Sequence, residues 1–440
     1  MKLVMRPYQE EAVDRFEKDG RLILADDCGL GKTLIGIETG HRLNSFPALV
    51  ICNKTARAQW QDMILSQYPR DDVLIADKIA WKYDSLRERG DLQWVVVSWD
   101  ELIMKSGQTL RKVVWPLVIA DEVHKAKNRK ASRTEALCKI DASRKLGLSA
   151  TPYEKSDEVW SLLHWLDQWK FPGYHAFCAT HFTMIDNFWS GRQEPSELKD
   201  PEAFNRLLEP WFLRRTKEQV LPDLPPKIEI EVKVQMTERQ RRIYNDLANS
   251  KDVVVNVEDE QLIVLNALSL LTKLQQVSTS PSLLGLSVKE KGSKIAWVED
   301  HIGDHPERKV VLFTRFIETA RELAGMLKCE CLAEGGGSPR PFQRGHHQYV
   351  VGTIDSMGES LDFPMADDAV FVETHHSSIK MQQAIDRVHR GNITTPKNIY
   401  YLLSSPTDRR ILKTAKDKIE ERDMALSFAR ARIQDIVETG

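Results

Sequence analysis

Residues 22–38 read LILADDCGLGKTLIGIE, and this stretch decides the fold of the first part of the chain. An apolar run precedes a glycine-rich turn, and Gly31-Lys32-Thr33 open a segment with apolar residues at helical spacing. Strand, glycine turn and helix are the setting of a phosphate-binding loop, where backbone N–H groups and the positive helix end hold an anion. The first position of such a loop is usually glycine, and here it is Asp26.

The loop contains the residue types that ATP and Mg²⁺ require. Gly29 and Gly31 let the backbone wrap the phosphates, Lys32 reaches the β- and γ-phosphates, and the Thr33 hydroxyl binds Mg²⁺. The alternative is a surface turn that happens to contain Gly-Lys-Thr. The apolar strand before it and the helical pattern after it favour the phosphate loop.

Short β-branched runs alternate with amphipathic helical stretches on both sides of this loop. The strand candidates lie at 21–25, 48–52, 72–76, 94–99, 117–121 and 145–149, and the same pattern returns at 308–316, 348–354, 368–374 and 398–404. Because these runs are almost entirely apolar, they predict parallel sheets covered on both faces. The predicted fold class is α/β, with two parallel-sheet lobes in tandem and helical insertions.

The prolines of LPDLPPK (221–227) interrupt any helix and indicate a connection between two domains. We expect lobe 1 at 1–220, with a helical, tryptophan-rich segment at about 155–220. We expect lobe 2 at 221–440, with a helical segment at about 236–280. The aromatic residues of 160–212, including Trp189 and Trp211, could stack on bases, but packing inside the helical segment is the preferred interpretation.

The composition is that of a globular protein, with 440 residues, 42% of them hydrophobic, and a net charge of −2. No apolar run approaches the roughly 18 residues that a membrane span needs, and the N-terminus has no secretion signal. The six cysteines show no C-x-x-C spacing, so we expect reduced thiols. These features predict a cytoplasmic protein (host cytoplasm if viral) with no membrane partner. We also expect a monomer. The small net charge does not exclude a nucleic-acid partner.

Besides the phosphate loop, the sequence has an acidic element that follows an apolar strand candidate. PLVIADEVHKAKN (116–128) places Asp121 and Glu122 at the end of that strand, where open α/β sheets bind ligands. Asp121 would hold the Mg²⁺ with Thr33, and Glu122 would polarise the attacking water. The alternative, an ordinary acidic strand end, is weakened by the phosphate loop that precedes it.

Several further stretches match motifs of one enzyme group. DEVH (121–124) matches the DExH box, and ADDCGLGKT (25–33) stands where the Swi/Snf group typically has ADEMGLGKT. RPYQEEAVD (6–14) is similar to an adenine-recognition element. LSATP (148–152) is similar to a coupling motif that interacts with the DExH box. On these residues the chain resembles superfamily-two helicases and translocases, most closely the Swi/Snf group. The fold that this resemblance implies is two RecA-like lobes.

The resemblance also implies a nucleotide site. Gln9 would read the adenine edge with Arg6 and Tyr8 beside it, and Ser149 and Thr151 would communicate with His124. The other residues expected at the nucleotide are Asp26, Cys28, Gly29, Leu30, Gly31, Lys32, Thr33, Leu34, Gly358 and Asp362.

Two stretches in the second half extend the resemblance. WFLRRTKEQVLPDLPPK (211–227) is close to the sequence that joins the lobes in this group. QQAIDRVHRG (382–391) resembles the final motif, in which Arg387 and Arg390 reach the ATP and Gln383 lines the same cleft. A helix would place the two arginines, three positions apart, on one face. The predicted catalytic set is Lys32, Asp121, Glu122, Gln383, Arg387 and Arg390.

Some positions depart from the group pattern. Ser360 stands where a glycine is expected, and the sequence after the last motif is shortened to Arg390-Gly391-Asn392. Chromatin-reading modules are also absent from the sequence. The small size and the lack of chromatin-reading modules suggest a minimal motor of phage or bacterial origin.

Nucleic acid is expected across the tops of both lobes, because the resemblance places it there. The candidate phosphate contacts follow strand ends or begin helices, where hydroxyls and backbone N–H groups bind phosphates without reading bases. They are Lys54, Thr55, Arg57, Ser98, Trp99, Thr314, Arg315 and Thr353. Taken singly, each is equally typical of an ordinary helix cap.

These observations predict an ATP hydrolase that moves on DNA, with ATP and Mg²⁺ bound between two lobes. The sharpest form of the prediction is a branch-migration helicase that remodels forked or branched DNA in replication, recombination or repair. The alternatives are a double-stranded DNA translocase that does not separate strands, an RNA helicase and the motor subunit of a restriction system. A non-catalytic scaffold is a further alternative, which Lys32→Ala and Glu122→Gln would leave functional.

Overall fold

The computed structural model divides into two compact units, with a boundary after Pro222, and the chain from Ile419 onward belongs again to the first unit. The boundary falls inside the proline-rich stretch 221–227. The residues that the structure describes are 3–75, 92–104, 107–187, 191–249, 254–257, 260–263, 266–285, 290–333, 336–357, 361–390, 393–420 and 422.

The first unit is built on a seven-stranded sheet in the order β3-β4-β2-β5-β6-β1-β9, with all pairings parallel. A separate antiparallel hairpin, β7–β8, lies outside this sheet. The strands are β1 (Arg21–Leu24), β2 (Ala48–Cys52), β3 (Asp72–Ile75), β4 (Leu92–Ser98), β5 (Val114–Asp121), β6 (Asp141–Leu148), β7 (Phe182–Asn187), β8 (Arg192–Leu198) and β9 (Phe212–Leu213).

The strands of this sheet are apolar on both faces because each face packs against its own layer. Ile23 belongs to one buried cluster with Trp165, whereas its neighbours Leu22 and Leu24 belong to a second cluster with Trp60 on the opposite face. Successive side chains of a strand point to opposite faces, so a strand between two layers must be apolar throughout.

Helices cover the sheet of the first unit. Three carry or support the site described below: α1 (Pro7–Asp19), α2 (Lys32–Arg42) and α3 (Arg57–Gln67). The others span Trp99–Ile103, Gly107–Leu110, Ser132–Cys138, Val159–Leu166, Tyr174–His181, Pro201–Leu208 and Lys217–Val220, and short 3-10 turns occupy Lys54–Ala56, Val123–Ala126 and Ser156–Glu158. The segment expected to be helical at 155–220 therefore also contains the β7–β8 hairpin and strand β9. Strand β8 lacks the alternation of apolar and polar residues that marks a strand in the sequence, because most of its residues are exposed.

The second unit is built on a six-stranded sheet in the order β10-β17-β16-β13-β15-β14, again with all pairings parallel. Buried clusters lie on both of its faces. The strands of this unit are β10 (Lys227–Lys233), β11 (Val254–Val257), β12 (Glu260–Ile263), β13 (Val310–Thr314), β14 (Glu330–Cys331), β15 (Tyr349–Thr353), β16 (Asp368–Phe371) and β17 (Lys397–Leu403).

The helices of the second unit include two where a helical segment was expected at about 236–280. Between these two lies the antiparallel pair β11–β12, so residues 260–263 form a strand and not the start of a helix. The helices span Glu238–Asn249, Ala267–Thr279, Ser293–Asp304, Ile317–Leu327, Arg340–Gln343, Ile354–Met357 and Ser378–Val388, with a 3-10 turn at Pro281–Leu284 and helical residues at 406–418.

The predicted fold class, two parallel-sheet α/β lobes in tandem with insertions, is confirmed. None of the helices in the described ranges combines the length and the apolar character that crossing a bilayer requires. In a parallel sheet all carboxyl ends meet at one edge, where ligands bind. In the first unit, the ends of β1, β5 and β6 bring the predicted phosphate loop, acidic box and coupling motif to that edge.

Candidate functional site

The phosphate loop runs from the end of β1 to the first turn of α2. Gly29 and Gly31 have φ angles of +85° and +78°, a backbone region that residues with a Cβ rarely adopt. The Lys32 ammonium lies over the loop and donates to the main-chain oxygens of Asp26 at 2.6 Å and Asp27 at 3.0 Å. The first N–H groups of α2, beginning with Lys32 and Thr33, have no partner inside the helix and can serve an anion.

The start of α1 braces the loop through two side chains. Gln9 Nε2 and the Tyr8 hydroxyl both donate to the Leu30 carbonyl, at 3.0 and 3.1 Å. Gln9 Oε1 accepts from the Arg6 backbone N–H at 2.8 Å. A Cβ on Gly31 would lie 2.3 Å from Gln9 Nε2. The predicted base-reading glutamine is therefore also a structural support of the phosphate loop.

Asp26 occupies the usual glycine position and is completely buried beside Arg215, which is also completely buried. Arg215 Nε donates to Asp26 Oδ1 at 3.0 Å, and its Nη2 donates to Oδ2. Burial raises the pKa of Asp26, and the Arg215 guanidinium opposes that shift. Sequence reasoning missed Arg215, although the unusual acid and the paired arginines of LRRTK were both visible signals.

The acidic box begins at the last residue of β5. Trp60 Nε1 donates to Asp121 Oδ2 and Trp99 Nε1 donates to the Asp121 main-chain oxygen, both at 2.9 Å. Burial raises the pKa of Asp121 to about 6, the charge of Glu122 adds to the shift, and Trp60 and Lys32 oppose it. A partly buried carboxylate with a raised pKa, close enough to feel the phosphate-loop lysine, is a group that a cation would stabilise. Asp121 thus fits the predicted Mg²⁺, and the part of the Thr33 hydroxyl stays a prediction.

Consecutive side-chain contacts connect Glu122 with the predicted coupling motif. Its φ angle is +51°, and its Oε2 lies 3.1 Å from His124 Nδ1. That nitrogen also lies 3.2 Å from Ser149 Oγ, which accepts from the Thr151 backbone N–H at 3.2 Å. Thr151 Oγ1 is buried and has no hydrogen-bond partner within the described part of the chain. The structure therefore joins the acidic box and the LSATP motif.

In the second unit, Asp362 gathers the two arginines of the final motif. Arg387 Nη1 lies 3.3 Å from Asp362 Oδ1, and Arg390 Nη2 binds the same oxygen. The helix ends at Val388, so Arg390 lies beyond it, which corrects the prediction that one helix face presents both arginines. A shared carboxylate brings them together instead. Gln383 is buried on the same helix.

The side chains of two predicted phosphate contacts, Ser98 and Trp99, make hydrogen bonds within the first unit. Ser98 Oγ accepts from the Glu101 backbone N–H at 3.2 Å, while Glu101 Oε2 accepts from the Ser98 backbone N–H at 2.9 Å, which is a capping box. The Trp99 indole is buried against Asp121. Both side chains thus have partners inside the unit, and their role as phosphate contacts stays a prediction. Arg57 pairs with Glu101 at 2.9 Å.

The candidates in the second unit divide in the same way. Thr314 is fully buried and donates to the Phe316 carbonyl at 3.1 Å, and the Thr353 hydroxyl caps the next helix through the Ser356 N–H at 3.2 Å. These two hydroxyls thus serve as caps or internal donors in this structure, and their contact with phosphate stays a prediction. Arg315 is partly exposed and lies 2.8 Å from His376, so it stays a candidate.

The remaining predicted residues vary in exposure. Lys54 and Thr55 are exposed after β2 and stay candidates for phosphate contact. Leu30 and Leu34 are buried, and Cys28 is partly buried. Trp160, Trp165 and Trp211 are buried in the first unit, as the packing interpretation expects, whereas Trp169 is 95% exposed. Gly358, Ser360, Gly391, Asn392 and Trp189 lie outside the described residues.

Comparison with known proteins places this site in a family. The SNF2-related domain matches residues 8–283. The chain is 29% identical over 291 residues to TATA-binding protein-associated factor mot1 of Schizosaccharomyces pombe, covering 58% of this chain and 14% of the relative. It is 24% identical over 462 residues to the mouse SWI/SNF-related matrix-associated actin-dependent regulator of chromatin subfamily A member 1, covering 94% of this chain and 43% of the relative.

The chain thus spans less than half the length of these relatives. A solved structure, "Sulfolobus solfataricus SWI2/SNF2 ATPase core in complex with dsDNA", is similar over 98% of this chain and 94% of that one, with 23% identity and a TM-score of 0.46. The domain match covers more than half of the sequence. The chain belongs to the SNF2-related family of ATP-hydrolysing enzymes.

Proposed function

We propose that this protein is an ATP-dependent translocase on duplex DNA and that the first-unit site described above binds and hydrolyses ATP. The observation that carries the proposal is the continuous set of contacts from Glu122 through His124 to Ser149, beside the phosphate loop. A motor needs such a link, because hydrolysis at one site has to change the protein's grip on another ligand. A simple phosphate-binding protein has no need of it.

Binding of ATP would rearrange Lys32. Its ammonium now donates to the carbonyls of Asp26 and Asp27, and phosphate oxygens would replace these neutral acceptors with charged ones, which form stronger hydrogen bonds. Gln9 uses one amide hydrogen and one oxygen lone pair in the contacts described above. The other hydrogen and lone pair match the N6 and N7 edge of adenine.

Hydrolysis then needs a positioned water and charge stabilisation. Asp121 and Thr33 would hold Mg²⁺, which neutralises charge on the β- and γ-phosphates. Glu122 would orient the water, and His124 fixes the direction of its carboxylate. Arg387 and Arg390 are the guanidiniums proposed to bind the reacting phosphate. Both pair with Asp362 here, so a bound phosphate would compete with that carboxylate for them.

DNA as the track is supported by family membership and by the relatives, which are a TATA-binding protein-associated factor and a regulator of chromatin. Lys54, Thr55 and Arg315 are the exposed or partly exposed candidates for its phosphates. The finer proposal is that the motor acts on forked or branched DNA. Remodelling of a junction and movement along a continuous duplex use the same hydrolysis chemistry, so the substrate has to be tested directly.

The test measures ATPase rate with linear duplex, single-stranded DNA, a fork, a Holliday junction and RNA. We expect duplex-containing DNA to stimulate hydrolysis, and exclusive stimulation by RNA would refute the DNA assignment. Lys32→Ala and Glu122→Gln should abolish hydrolysis while the folded state persists, as circular dichroism would show. Triplex displacement on linear duplex reports translocation, and strand exchange on the junction reports branch migration. Junction activity without displacement on linear DNA would favour the finer proposal.

A further inference from the structure

A buried ion pair ties the phosphate loop to the segment that leaves the first unit. Asp26 and Arg215 are both 0% exposed and are joined through two pairs of atoms. Arg215 follows strand β9, whose residues Phe212 and Leu213 pair in parallel with β1. The loop and this segment, residues 211–222, therefore leave the sheet side by side, although 189 positions separate Asp26 from Arg215.

Neighbouring residues repeat the connection. The Asp27 backbone N–H donates to the Arg215 carbonyl at 3.0 Å, and Asp27 Oδ2 accepts from the Lys217 backbone N–H at 3.0 Å. Arg214 lies 3.4 Å from Asp27 Oδ1 and donates to the carbonyls of Ala25 at 3.3 Å and Ala150 at 3.0 Å. Both acids of the loop are thus bound by residues 211–222.

The same guanidinium reaches the adenine-recognition element. Arg215 Nη1 donates to the Tyr8 main-chain oxygen, and the guanidinium carbon lies 5.2 Å from the centre of the Tyr8 ring. Tyr8 in turn donates to the Leu30 carbonyl at 3.1 Å. Lys32 donates to the main-chain oxygen of Asp26. Displacement of Arg215 would therefore move acceptors and supports at both ends of the phosphate loop.

We propose that Arg215 is a positioning residue that couples ATP affinity to the conformation of residues 211–222. When the segment is in the position seen here, Asp26 and Asp27 hold the loop in its phosphate-binding form. When the segment moves, the ion pair weakens and the loop loses this form. By reciprocity, bound ATP must stabilise residues 211–222 to the same degree. This inference rests on the proposed function, because it assumes that the loop binds ATP.

The experiment compares wild type with Arg215→Lys, which keeps the charge but cannot form the planar two-point contact. Asp27→Ala is the second variant, because its side chain is 23% exposed and its loss leaves Arg214 with two carbonyl partners. Asp408→Asn is the control, since it breaks the buried Lys294–Asp408 pair of the second unit. Each protein is measured for affinity to a non-hydrolysable ATP analogue with Mg²⁺, and for amide hydrogen exchange of residues 211–222 with and without it.

We expect Arg215→Lys and Asp27→Ala to weaken analogue binding by about tenfold, within the usual range of coupling between sites. They should also lose the analogue-dependent protection of residues 211–222 that wild type shows. Asp408→Asn should lower thermal stability and change neither readout. Unchanged affinity and protection in a folded Arg215→Lys or Asp27→Ala protein would overturn this inference alone. Failure of wild type to bind the analogue would overturn the proposed function as well.

Discussion

Trp60 fixes the carboxylate of the acidic box, and its replacement by phenylalanine offers a sharp test of the Mg²⁺ site. Trp60 lies in α3, is 1% exposed and donates from Nε1 to Asp121 Oδ2 at 2.9 Å. The second oxygen, Oδ1, accepts from the Glu122 backbone N–H at 3.0 Å. Trp60→Phe removes only the first of these hydrogen bonds and keeps an aromatic ring in the core.

The expected magnitude follows from the charge of the acceptor. A hydrogen bond to a charged group contributes about 1.5–3 kcal/mol, and 1.4 kcal/mol corresponds to about tenfold in an equilibrium constant. Loss of a partner that orients a metal ligand typically costs about 10–100-fold in metal affinity or activity. We therefore expect the Mg²⁺ concentration for half-maximal ATPase to rise about 10–100-fold in Trp60→Phe.

Trp94 provides a matched control. It is also fully buried, and its indole donates to a different carboxylate, Asp71 Oδ2, at 2.7 Å. Trp94→Phe removes the same atoms and the same type of hydrogen bond, so both variants should lose thermal stability. Only Trp60→Phe should change the Mg²⁺ dependence of steady-state ATPase. An equal shift in both variants, or no shift in a folded Trp60→Phe protein, would refute the reasoning.

Three further substitutions test other parts of the first unit. Ser149→Ala removes the contact with His124 at 3.2 Å. The stimulation of ATPase by DNA should therefore fall while the DNA-independent rate persists. Equal loss of both rates would contradict a coupling role. Gly31→Ala meets both a φ of +78° and Gln9 Nε2 at 2.3 Å, and a left-handed residue with a Cβ costs about 1–2 kcal/mol. The KM for ATP should therefore rise about tenfold, and an unchanged KM would argue against this loop as the ATP site. Gly147→Ala places a Cβ 2.5 Å from Ile23 Cδ1, and overpacking of a core costs roughly 1–3 kcal/mol. Urea unfolding should therefore show a lower free energy of unfolding, and an unchanged midpoint would contradict the close packing at this position.

The elements that the sequence predicts well are those with strong apolar patterns. Strand β2 has the predicted bounds, the candidate at 21–25 differs from β1 by a single residue, and the candidate at 72–76 matches β3 as far as the described residues extend. Strands β1 and β2 are almost entirely buried, so their composition alone marks them. Strand β10, which reads KIEIEVK, alternates charged and apolar residues at the edge of its sheet. That pattern resembles a surface segment, so the strand was missed.

The site residues divide by a different rule. Lys32, Asp121 and His124 have roles set by short sequence motifs, and the structure places them at one edge of one sheet. Ser98, Trp99, Thr314 and Thr353 follow strand ends equally well, yet they are buried. A strand end requires helix caps and core residues as often as it requires ligand contacts, and sequence position cannot separate these uses. The structure adds their burial and their internal hydrogen bonds, which no sequence pattern shows.

The acid at the start of the phosphate loop shows what a motif leaves out. Glycine at this position would need no partner, whereas a buried carboxylate requires a cation to offset its desolvation. Asp26 therefore predicts a buried arginine or lysine, and the LRRTK stretch supplies it through Arg215. The requirement ties two segments that are distant in sequence into one structural unit. An acid in place of glycine thus adds a constraint to the loop, and Arg215 joins residues 211–222 to that loop.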